Sequence, residues 1–142
     1  MLKEGVMGYR IVDTTADVGV EAWGKSLKEL FEEAARGLIS CICPEDRVEP
    51  KKSVDFSSSG ADPEDTLISM LNDIIYLHET RKMVFCDVKV KDISPQRVDF
   101  TLKGEAIDPK RHDILGVKAA TYHNVRIERK NGLYRVRVIL DV

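Results

Sequence analysis

The stretch MVFCDVKVKDISPQRVDFTLKG, residues 83–104, decides the fold. Residues 84–90 and 97–104 both alternate in the manner of a β-strand. Ser94-Pro95 marks the turn between them. So short a link forces the two strands to run antiparallel. Towards the C-terminus, residues 106–115 read as a polar connection and residues 117–129 as a further strand. Asn131-Gly132 then signals a tight hairpin, because a type I′ turn needs two positive φ angles. Residues 134–142 are the returning strand.

Working back towards the N-terminus, Asp62-Pro63-Glu64-Asp65 opens a helix, with Asp62 as cap and Pro63 in the first-turn position that tolerates it. Leu67, Leu71, Ile74, Ile75 and His78 lie along one side of that helix, and Arg81 and Lys82 suit its C-terminal end. Residues 52–59 alternate as a strand before it. Ser26-Leu27-Lys28-Glu29 is a capping box that starts an earlier helix, which Pro44 stops. Its apolar stripe runs through Leu27, Leu30, Phe31, Ala34, Leu38 and Ile39, with Glu32, Glu33 and Arg36 mostly away from it. Two short strands, 9–12 and 18–23, precede this helix. The expectation is an α+β fold: an antiparallel sheet with two amphipathic helices packed on one face, in a single domain over residues 1–142.

Composition narrows the function classes. The chain is 43% hydrophobic and 32% charged, which indicates neither a disordered chain nor a membrane protein. No apolar run nears the roughly 18 residues of a membrane span. MLKEGVMGYR lacks the apolar stretch of a signal peptide, so a cytoplasmic location is expected by default. A net charge of −2 argues against a stand-alone nucleic-acid binder but leaves room for a local basic strip. Arg126, Arg129, Lys130, Arg135 and Arg137 cluster in sequence, and read as the wet face of a hairpin. Three cysteines, Cys41, Cys43 and Cys86, suit a reducing compartment. They lack the ligand spacing of a zinc site and read as small apolar residues.

Phosphate-loop, dinucleotide, H-E-x-x-H and G-x-S-x-G motifs are all absent, so no catalytic or cofactor-binding residues are assigned. His78 reads as structural, His112 as a solvated residue of the polar connection, and Lys118 as a surface lysine. Asp17 lies where a loop enters a strand, and its simplest role is an Asx-type turn. Asp141 is penultimate, after the apolar strand residues 136–140, which sets its carboxylate beside the α-carboxylate of Val142. If Asp17 approaches, three carboxylates crowd one spot, and a hard divalent cation such as Ca²⁺ would relieve their repulsion. On spacing alone the simpler account, two unrelated surface aspartates, is preferred.

Five segments together are more specific. They are Thr15-Ala16-Asp17-Val18-Gly19-Val20-Glu21-Ala22-Trp23-Gly24, the helix start over residues 26–35, Leu71-Asn72-Asp73-Ile74-Ile75-Tyr76, Val117-Lys118-Ala119-Ala120-Thr121-Tyr122-His123, and the ending Val138-Ile139-Leu140-Asp141-Val142. In this order they resemble the archease family along nearly the whole chain. The resemblance implies an accessory protein, not itself an enzyme, that serves the GTP-dependent RNA ligase of tRNA splicing. Such a protein promotes guanylylation of the ligase and its multiple turnover, and meets tRNA through the ligase. It implies a metal site, most simply for Ca²⁺, on Asp17, Asp141 and the terminal carboxylate of Val142, with Lys118 in support. Thr14 stands where the family often has histidine, so this chain lacks an imidazole at that position. Two other functions stay open: a chaperone-like module for RNA-processing enzymes, and a metal-dependent hydrolase.

Overall fold

A computed structural model describes residues 7–13 and 17–142. Among the described residues, eight strands and two long helices follow one another as β1 (Gly8–Asp13), β2 (Val18–Gly24), α1 (Leu27–Ile42), β3 (Lys52–Ser59), α2 (Pro63–Arg81), β4 (Met83–Ser94), β5 (Arg97–Ala106), β6 (Ala119–Ala120), β7 (Glu128–Lys130) and β8 (Leu133–Asp141). A one-turn 3-10 helix, Glu45–Arg47, follows α1. The α+β class and the antiparallel pairing are as the sequence predicts. The strands divide into two sheets. One has the order β1-β2-β8-β6 with β7 also on β8, and the other the order β3-β5-β4.

Both helices lie between the inner faces of these sheets. α1 packs on β1, β2 and β8 of the first sheet and on β4 of the second. α2 packs on β3, β4 and β5 of the second sheet and on β6 of the first. One continuous core results, with Leu30, Phe31, Leu67, Met70, Leu71, Phe100, Leu102 and Val138 wholly enclosed. Gly37 allows α1 to sit this close, since a Cβ there would lie 2.4 Å from Val20 Cγ1.

Sandwiching α1 corrects one expectation. Glu32 and Glu33, read as lying away from the apolar stripe, are buried. Glu32 accepts from Val90 N at 2.8 Å, where the β4–β5 register slips. Glu33 pairs with Arg36, which also donates to Val88 O at 3.0 Å. Polar residues on a helix touched from two sides need such partners, because a buried charge without one is costly. Among the described residues no buried side-chain nitrogen or oxygen lacks one.

The helix starts form as read. Ser26 Oγ accepts from Glu29 N, and Glu29 reaches back to Lys25 N at 2.8 Å. Asp62 caps α2 by accepting from Asp65 N at 2.8 Å. The Asn131-Gly132 turn has φ of 53° and 76°, as a type I′ turn needs.

The expected strand over residues 117–129 is the main correction. Only Ala119–Ala120 and Glu128–Lys130 are extended and paired. Between them Asn124 turns at φ 52°, and Val125 N closes back on Tyr122 O at 3.2 Å. The acidic first turn of α2 holds this loop: Tyr122 Oη donates to Asp65 Oδ1 at 2.6 Å, and Ile127 N donates to Glu64 Oε2 at 3.0 Å. Val125 and Ile127 alternate because they pack on the core, without belonging to a ladder.

Candidate metal centre at the end of the central strand

β8 is the central strand of the first sheet, flanked by β2 and β6. Its inner side chains Val136, Val138 and Leu140 are buried, which pins its register. Val18 pairs with Leu140 on one side, and Ala120 pairs with Leu140 on the other. Asp17 immediately precedes Val18, and Asp141 immediately follows Leu140. Val18–Leu140 is the last pair of the β2–β8 ladder, and Asp17 and Asp141 are the next residues beyond it on the two strands. Asp17 is half-buried; Asp141 and Val142 are exposed.

Lys118 meets the same strand end from β6. Its N–H donates to Asp141 O at 2.7 Å, next to the Ala119–Asp141 pair. That contact is a main-chain one, and the Lys118 side chain is exposed. Thr14 and the rest of residues 14–16 lie outside the described residues.

The donors gathered here are hard oxygens. Among the described residues no three His, Cys, Asp or Glu side chains form a group able to hold a metal ion. Carboxylate oxygens such as those of Asp17 and Asp141 are the ligands that a Ca²⁺-like cation takes, in flexible geometry.

Asn72 is a residue whose role here spacing did not reveal. Its side-chain amide donates to Ala120 O at 3.0 Å and accepts from Ala120 N at 2.9 Å. It thus acts as a one-residue strand on the outer edge of β6, fastening to α2 the short strand that borders Asp141. The available signal was an amide beside Leu71 and Ile74, near the buried side of an amphipathic helix.

His78 and His112 make structural contacts. His78 Nδ1 lies 2.6 Å from Met83 O. His112, expected to be solvated, is buried instead. Its Nδ1 accepts from Asp108 N at 2.9 Å, so the ring proton sits on Nε2, 3.2 Å from Glu105 Oε2. Glu105 also accepts two hydrogen bonds from Arg111 and one from Glu49 N. Burial pushes all three thiols up, Cys41 to about 11. That leaves them protonated and poorly nucleophilic.

Known proteins share this design. The profile of the archease protein family (MTH1598/TM1083) matches residues 9–142. The archease of Methanopyrus kandleri is 33% identical over 140 residues, covering 96% of this chain and all of that protein. That of Pyrococcus furiosus is 36% identical over 134 residues, covering 90% of this chain and 94% of its own. The solution structure of Methanobacterium thermoautotrophicum protein 1598 superposes with a TM-score of 0.75 at 30% identity, over 95% of this chain and 99% of that one. A crystal structure from Thermotoga maritima, described as an archease and possible chaperone, has the same fold, with a TM-score of 0.62 at 22% identity over 100% of this chain and 98% of that one. With its strand-end carboxylates, its two sheets and a family match spanning nearly its whole length, the chain belongs to the archease family.

Proposed function

We propose that this protein is an accessory factor of a GTP-dependent tRNA-splicing RNA ligase. It acts on the ligase, promotes its guanylylation and multiple turnover, and meets tRNA through it. The working end is the corner of Asp17, Asp141 and the terminal carboxylate of Val142, holding a divalent cation, most simply Ca²⁺, with Lys118 in support. The observation that supports this reading is the pairing of Val18 with Leu140, the residues that adjoin Asp17 and Asp141 in the chain. The cation would neutralise three neighbouring carboxylates and present a rigid charged tip to the partner. A tip of that kind shifts the ligase only by binding its activatable state better than its stalled one.

The test is addition of the purified protein to its cognate ligase with GTP and Mn²⁺. The expected result is more guanylylated ligase and repeated ligation, both lost in Asp141→Ala and in a chain extended beyond Val142. An unchanged yield of guanylylated ligase with the wild-type protein would sink the proposal. The chaperone reading draws on the description of the Thermotoga relative. It would gain if the protein rescued unrelated enzymes from aggregation and Asp17→Ala rescued them equally well.

A further inference from the structure

The C-terminal end of α1 opens onto a pocket of about 310 Å³, with Ser40, Cys41 and Pro44 on one side and Asp113, Ile114 and Leu115 on the other. Residues 113–115 belong to neither helix nor strand, and the main chain ties them down: Leu115 N donates to Ile42 O at 2.9 Å. Two consecutive large aliphatic side chains nonetheless stand in water, Ile114 39% and Leu115 48% exposed, while Val117 just beyond them is buried. Ile11 extends this apolar surface along β1. It lies between Tyr9, which sits beside Gly37, and Asp13, whose charge reaches Cys41, and it is exposed. The surroundings are acidic. Burial and then the charge of Asp13 raise the Cys41 thiol. Burial and then Asp113 raise that of Cys43, with Asp46 adding to the effect and Arg47 opposing it. Glu45, next to Pro44, accepts from Tyr9 Oη at 2.8 Å. Arg111, further along the loop, is held by Glu105.

We propose that this pocket docks a segment of a partner protein that carries lysines or arginines around one aliphatic side chain. The aliphatic side chain enters between Cys41, Ile114 and Leu115, and the cations meet Asp13 and Asp113. Charge complementarity selects that occupant. A second copy of the chain would bring the same acids against one another, and such like-charge juxtaposition is costly. Phosphate backbones and anionic lipid surfaces are repelled by the same carboxylates. An exposed apolar patch with a charged rim is instead the form of a protein-binding site, with the anchor at its centre and the acids steering a basic partner onto it. The pocket also adjoins the carboxylate corner. From Leu115 the chain needs three residues, at most about 11 Å, to reach Lys118, whose N–H donates to Asp141 O at 2.7 Å. The proposal deepens the accessory-factor reading by naming how the partner is held, and rests on that reading only for which protein supplies the segment.

The experiment titrates the full chain with a short labelled peptide of lysines and arginines around one central leucine. The expected results are saturable anisotropy and amide shifts centred on Cys41, Ile114 and Leu115. Serine in place of the peptide's leucine, or Leu115→Ser in the protein, weakens binding about tenfold, as loss of an interface anchor does. Leu115→Ser keeps the main-chain bond to Ile42, and an unchanged melt separates lost binding from lost fold. Asp13→Asn with Asp113→Asn weakens binding at low salt and flattens its salt dependence. Asp55→Asn with Asp92→Asn, on the second sheet, leaves binding unchanged. Binding that never saturates, shifts centred elsewhere, or equal affinity for the serine peptide would overturn the proposal. So would equal affinity for a glutamate-for-lysine peptide, or a dimer of the chain that Leu115→Ser dissolves. The cognate ligase is then titrated in the same way, and Leu115→Ser lowers its binding too. A wild-type chain that binds the peptide but no ligase supports the pocket and overturns the accessory-factor reading.

Discussion

At the scale of single residues, Glu105 is an acid held by several partners at once. The Arg111 guanidinium holds its carboxyl down to about 2, helped by the Glu49 amide and by His112. The ordinary value, about 4.5, applies to the unfolded chain. As pH falls, the unfolded chain therefore takes up this proton first. The stabilisation from Glu105 is complete above about 4.5 and drains away as pH drops towards about 2. The expected outcome is a melting-temperature gap between wild type and Glu105→Gln that is widest near neutrality and closes over that window. A gap independent of pH would show that Glu105 stabilises by packing alone. None of this was legible in residues 106–115, whose polarity reads as solvation. Polarity does not say whether a hydrogen-bonding partner or water satisfies a side chain.

At the scale of elements, β6 is too short to hold itself. Two residues in a ladder, with one edge otherwise open, cost backbone entropy that their few bonds barely offset. The Asn72 amide closes that edge. Asn72→Ala should cost about 1–3 kcal/mol, since it leaves the Ala120 amide and carbonyl without their partner. The loss should be local: hydrogen exchange should accelerate at the amides of Lys118 and Thr121, which bond to β8, before it does in β4 and β5. Uniform acceleration across both sheets would contradict a clamp specific to β6. Elements with a strong period and a cap were legible, among them both helices, β3 and the β7–β8 hairpin. The strand expected over residues 117–129 was not, because Val125 and Ile127 have strand spacing while the α2 first turn dictates their path.

At the scale of the whole molecule, Asp17 precedes β2 and Asp141 ends β8, so a cation held by both would tie distant segments together. A ligand that binds only the folded state adds about 2.7 kcal/mol at a hundred times its Kd. For a chain of this size that is a rise of roughly 5–10 °C in Tm. Ca²⁺ should produce such a rise in wild type, and none in Asp17→Asn or Asp141→Asn. An unchanged wild-type melt at saturating Ca²⁺ would count against the site. The same scale separates what is local from what is not. By itself the sequence determined the α+β class, the antiparallel pairing, the helix starts and the turn at Asn131-Gly132. Each depends on periodicity or on side chains within a few positions. Asp17, Asp141 and Val142 were nameable as candidates, and the five ordered segments placed the chain in its family. Only the tertiary structure decided that the strands form two sheets with α1 buried between them. It also determined the Val18–Leu140 register, and the groove lined by Arg126, Arg135 and Arg137. Those outcomes depend on which inner face each strand buries, a long-range packing choice that no local pattern encodes.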